Sequence, residues 1–72
     1  MMTFQPFWEM MRQRNITTYM LEHEYHFNKS VIYRLKHNSN VTLDTVEKIC
    51  SVFHCKVEDV ILYVEQEEEV QP

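Results

Sequence analysis

Asn28, Lys29, Ser30, Tyr33, Arg34 and His37 fall within one ten-residue stretch, NKSVIYRLKH. Wound as a helix, that stretch turns Val31, Ile32 and Leu35 to one side and these polar, basic and aromatic side chains to the other. A single helix presenting such a face has the size and chemistry to enter a DNA major groove. It offers base-edge donors, cations for phosphate and an aromatic ring. Arg34 is the best-placed group for bidentate guanine recognition, with a phosphate clamp as its alternative role. Tyr33 either meets a thymine methyl or a phosphate, or packs at the edge of the domain. Thr18, Asn38, Asn40 and Thr42 flank this helix at neighbouring helix ends, where free backbone N–H groups attract anions. They are candidate phosphate ligands, although capping alone accounts equally for Thr42.

The elements that must carry these residues follow from periodicity and end signals. A first helix is expected from about Pro6, with Phe4, Phe7, Trp8 and Met11 as its apolar stripe. Arg12, Gln13 and Arg14 close it, and Asn15 is a left-handed stop. Thr17 caps a second helix that buries Met20, Leu21 and Tyr25. After a turn around His26 and Phe27, Asn28 caps the third, with Phe27 and Ile32 as a hydrophobic staple. Asn38, Ser39 and Asn40 form a polar linker. Thr42 caps a fourth helix whose core set is Val46, Ile49, Cys50 and Phe53, and Val41 with Val46 repeats the staple. A short fifth helix is expected over Glu58 to Tyr63, although its β-branched content also suits a strand.

Size and composition narrow the classes of function. Seventy-two residues make one domain at most, and self-association is a natural way to supplement so small a core. The hydrophobic fraction of 44% is ample for a packed interior and argues against disorder. No apolar run approaches the length of a membrane span, and Pro6, Glu9, Arg12 and Arg14 break up any signal-peptide core, so a cytoplasmic location is expected. Glycine is absent. Phosphate-cradling nucleotide loops therefore have no glycine to permit their close backbone approach. Left-handed positions fall to asparagine, and Asn15, Asn38 and Asn40 lie where helices should end.

The net charge of −4 argues against nucleic-acid binding, but its distribution weakens the objection. Glu65, Glu67, Glu68 and Glu69 form an acidic tail over residues 65–72, expected to be flexible. The body up to Val64 is neutral, with seven acidic and seven basic side chains. Its segment from Asn28 to Asn40 holds Lys29, Arg34 and Lys36 and no acid. Cys50 and Cys55 are five apart and lack metal-site spacing, and the histidines make no catalytic constellation with Glu22 and Glu24. No enzyme, metal, cofactor or small-molecule ligand is implied.

The segments ITTYMLEHEYHFNKSVIYRLKHN, VTLDTVEKIC and CKVEDVI together resemble the Cro/repressor (XRE) family of helix-turn-helix regulators. The likeness runs from about Phe4 to Val64, with Leu21, Phe27, Ile32 and Leu35 at the motif's apolar positions. It implies a lambda-repressor-like all-α bundle of about five short helices over residues 1–64, binding operator DNA through its third helix. Two residues depart from the pattern. Glu22 stands where a small residue lets the motif helices pack closely, and is expected to tilt outward. His26 stands where glycine commonly makes the turn, requiring a left-handed histidine or an altered turn. A homodimer is expected, joined through Val57 to Val64, because one motif covers few base pairs. The alternative is a protein-interaction module on the same fold (an antitoxin, anti-repressor or adaptor), favoured by the neutral body, the acidic tail and the aromatic rings of Tyr19 and Tyr33.

Overall fold

The computed structural model describes residues 1–65. Four α-helices follow one another: α1 (Gln5–Gln13), α2 (Thr18–His23), α3 (Lys29–Lys36) and α4 (Leu43–Phe53). A 3-10 turn at Val57–Asp59 then leads to a two-residue strand, β2 (Leu62–Tyr63), which pairs antiparallel with β1 (Met2–Thr3). The register sets Met2 against Tyr63 and Thr3 against Leu62.

The expected fifth helix over Glu58 to Tyr63 is therefore replaced by the 3-10 turn and β2. The cause is visible in the local bonding. Asp59 Oδ2 accepts from the Lys56 N–H at 3.0 Å, and the Val60 N–H reaches only as far back as the Val57 carbonyl, at 2.9 Å. Beyond that turn Leu62 and Tyr63 find a partner strand in β1. Val60 is fully buried, Ile61 half-buried, and Leu62, Tyr63 and Val64 are exposed. The predominantly helical architecture is otherwise as the sequence implies. The acidic tail from residue 66 onward lies outside the described residues.

The helix starts are set by short polar side chains. Thr17 Oγ1 accepts the Met20 N–H at 3.1 Å, Asn28 Oδ1 the Val31 N–H at 3.0 Å, and Thr42 Oγ1 the Thr45 N–H at 3.2 Å. Each pairs one amide that the helix itself leaves free. Helix α1 has no such side-chain cap; Pro6 lies in its first turn. Helix ends are set by left-handed residues at Asn15 (φ 59°), His26 (φ 63°), Asn38 (φ 55°) and His54 (φ 54°). Asn40 is not among them; it lies in the linker that leads to α4.

The interior is one cluster built from Phe4, Phe7 and Met11 of the first helix region, Leu21, Phe27, Ile32, Leu35, Ile49, Phe53 and Val60. Phe53 is its aromatic hub, with ring centroids 4.9 Å from Tyr25 and 6.3 Å from both Phe7 and Phe27. Long-range bonds lock the α1 region to the other helices. The Trp8 indole N–H donates to the Leu35 carbonyl at 3.0 Å, and Arg14 Nη1 donates to the Phe53 carbonyl at 2.8 Å. Arg14 thus places its charge at the negative pole of α4, which has no basic residue in its own last turn.

Candidate nucleic-acid interface

Helix α3 buries Ile32 and Leu35 and exposes Lys29, Ser30, Tyr33, Arg34, Lys36 and His37. Ser30, Tyr33, Arg34 and His37 follow i, i+3, i+4, i+7 spacing, so they form a crest along the helix. Tyr33 is 61% exposed, and its ring lies 4.2 Å from the His37 imidazole. The ring is therefore available to a ligand on this face while also packing against His37.

A depression runs along each flank of this crest. The one toward α2 is lined by Thr18, Tyr19, Glu22, Lys29, Ile32 and Lys36. The one toward α4 brings Arg34 together with Asn40, Thr42 and Thr45 over an apolar floor of Val31 and Val41. Thr18 therefore sits with Lys29 and Lys36, while Asn40 and Thr42 sit with Arg34. Asn28 and Asn38 are differently employed. Asn28 Oδ1 accepts from both the Val31 N–H and, at 2.9 Å, the Ser30 hydroxyl. Asn38 Oδ1 accepts the Phe4 N–H at 2.8 Å, fastening the start of α1 to the end of α3. Both carbonyl oxygens are thus occupied within the domain, which leaves the side-chain N–H groups as the donors available to a ligand.

The turn between α2 and α3 adopts the left-handed alternative at His26. It is closed by the Phe27 N–H donating to the Leu21 carbonyl at 2.9 Å. From α4, Lys48 Nζ lies 4.4 Å from the centroid of the Phe27 ring and 3.4 Å from the His26 carbonyl oxygen, so one cation reinforces the turn. Glu22, expected to tilt outward, lines the α2-side depression. It is half-buried, with Oε2 3.9 Å from Lys29 Nζ and Oε1 3.8 Å from His23 Nε2.

A Cro/C1-type helix-turn-helix DNA-binding domain model matches residues 7–66. The chain belongs to this family. No match was found among curated proteins. Among solved structures, the transcriptional regulator VanUg (crystal form II) is similar with a TM-score of 0.80, at 23% identity over 90% of this chain and 87% of that one. At that identity the likeness is one of fold.

Within this Cro/C1-type domain, the residues near the candidate interface that sequence reasoning did not bring to it are Tyr19, Glu22 and Lys48. Lys36, read from the sequence as part of the basic segment, lines the α2-side depression with Lys29. Tyr19 and Glu22 enter only through the crossing of α2 over α3, which spacing within one helix does not encode. Lys48 comes from α4 and is visible only in the tertiary structure. Away from this face, burial raises the Cys55 thiol above the ordinary thiol range, with adjacent Cys50 adding to the shift. Both thiols are free and pack against the core, so Cys55 is more than a loop residue. Among the described residues, no helix is long and apolar enough to cross a membrane.

Proposed function

We propose that this Cro/C1-type domain is a transcriptional regulator that reads a specific operator in double-stranded DNA through α3. The observation carrying the reading is the crest of Ser30, Tyr33, Arg34 and His37, flanked by depressions that hold the cations Lys29, Lys36 and Arg34. Arg34 is the base reader, its guanidinium matching guanine O6 and N7. Lys29, Lys36 and Thr18 on one flank, and Asn40 and Thr42 on the other, meet the phosphates that fix register. Selection of bound duplexes from a random pool, followed by titration at several salt concentrations, tests this. A defined consensus is expected, with affinity falling by about 0.9 log units per phosphate contact for each tenfold rise in salt. Enrichment of no sequence, or a salt slope near zero on the enriched one, would refute it.

The domain acts as a homodimer in this reading. The fifth helix once expected at the interface is absent, but an apolar face remains beside the sheet. Met2, Val41, Leu43, Val57 and Ile61 line a shallow groove there, with Leu43 85% exposed. A second copy seated on this face supplies the burial that so small a core lacks and pairs two α3 helices for a near-palindromic site. Sedimentation of wild type and Val57→Asp tests it. A dimer lost in the variant is expected; a wild-type monomer at high micromolar concentration would rule the arrangement out.

A further inference from the structure

One carboxylate sits among the cations of the DNA-binding face. Glu22 shares the α2-side depression with Thr18, Tyr19, Lys29, Ile32 and Lys36. Its side chain is 29% exposed, whereas that of Lys29 is 83% exposed. The acid thus sits lower in the depression between α2 and α3, and the lysine is the more exposed partner. Their 3.9 Å separation makes an ion pair without the close contact of a hydrogen bond. A pair this exposed contributes little to stability. Its consequence lies in what it does to an incoming phosphate.

We propose that Glu22 limits the affinity of the interface by holding Lys29 as an internal counter-ion. A phosphate approaching this flank must take Lys29 from a carboxylate that already lies 3.9 Å from it. Lys29 then releases fewer condensed counterions from DNA than a free lysine would, and this flank binds every sequence less tightly. Arg34 lies in the opposite depression with Asn40 and Thr42, where no acidic side chain lines the wall. The two flanks therefore differ in kind: the Arg34 side engages without opposition, while the Lys29 side is opposed. This rests on the reading of α3 as the DNA-binding helix.

The test compares wild type, Glu22→Gln, Lys29→Met and the double variant on one random-sequence duplex, with each fold checked by its thermal transition. Glu22→Gln should bind more tightly, with a log–log salt slope steeper by about 0.9, one phosphate contact. Its advantage over wild type should therefore widen by about 3.5-fold between 200 and 50 mM salt. In the Lys29→Met background the same change should add nothing to the slope. Wild-type binding with an unchanged slope in Glu22→Gln would overturn the role of Glu22 alone. Absence of duplex binding in both at low salt would overturn the DNA-binding reading and this role with it. Should Glu22→Gln fail to fold, Glu22→Ala carries the same expectation, and an unchanged slope there refutes it.

Discussion

Replacing His26 by glycine should stabilise this protein without altering its DNA affinity. His26 holds φ 63° in the turn between α2 and α3. A residue bearing Cβ pays about 1–2 kcal/mol to occupy that left-handed region. Glycine escapes the clash but brings extra freedom to the unfolded chain, costing about 0.5–1 kcal/mol. The difference leaves a net gain of about 0.5–1 kcal/mol. Little else should change, because the bonds closing the turn do not use the imidazole. Lys48 Nζ donates to the His26 carbonyl, and the Phe27 N–H donates to the Leu21 carbonyl. In a domain of this size the gain corresponds to about 2–8 °C in the thermal midpoint. Urea unfolding of His26→Gly and His26→Ala separates backbone from side chain, since alanine keeps Cβ and removes the ring. Alanine should fall close to wild type and glycine above both, with equal m-values and unchanged DNA titrations. Glycine no better than alanine would refute the strain argument, and a change in DNA affinity would show that the imidazole itself works in the interface.

Other outcomes follow from the same structure. Asn38→Ala should destabilise by about 1–3 kcal/mol, because the part-buried Phe4 N–H loses its acceptor, while the salt slope of DNA binding stays the same; a shallower slope would instead make Asn38 a phosphate ligand. Arg34→Ala should cost about 1–3 kcal/mol on the selected operator and relax preference at one position, whereas equal weakening on all sequences would make Arg34 a phosphate clamp. Because burial raises the Cys55 thiol in the folded state, its contribution is fully present below the unfolded thiol's titration range. That contribution is lost as pH rises through the higher folded value, so Cys55→Ala should flatten the alkaline decline in stability measured by urea titration. An identical decline in the variant would show that the thiol carries none of it.

What could be read from the sequence was local. The Thr17, Asn28 and Thr42 caps each rest on a side chain bonding three residues ahead, a relation written within four consecutive residues. The buried faces of α3 and α4 follow from 3.6-residue spacing, which needs no partner to be recognised. The region after Phe53 was opaque because two codes overlap there. Val57, Val60, Ile61 and Val64 satisfy helical spacing, yet the outcome is decided by β1 more than fifty residues earlier in the chain. His54 was unreadable for a related reason. Histidine is not a usual stop, and its left-handed φ of 54° is imposed by closure of α4, where the Cys55 N–H reaches the Cys50 carbonyl at 3.1 Å. At the interface, residues on α3 were legible, while Tyr19, Glu22 and Lys48 required knowledge of which helices cross.

The absence of glycine connects these observations. Among the described residues, each of the four left-handed turns is made by asparagine or histidine, so each stores strain that the packing around it must hold. Two of the four bracket α3. His26 precedes it and is held from α4 by Lys48; Asn38 follows it and is held from α1 through the Phe4 N–H. The helix that bears the proposed DNA-facing residues is thus fixed at both ends by contacts from the two helices that do not belong to the motif. Its C-terminal turn has a third tie, the Trp8 indole on the Leu35 carbonyl. A residue bearing Cβ pays to occupy the left-handed region, so these turns keep their geometry only while the core around them is intact. Presentation of Lys29, Tyr33 and Arg34 is therefore coupled to global folding. Variants that loosen the α1 or α4 contacts should lose DNA affinity and thermal stability together, whereas variants on the crest itself should lose affinity alone.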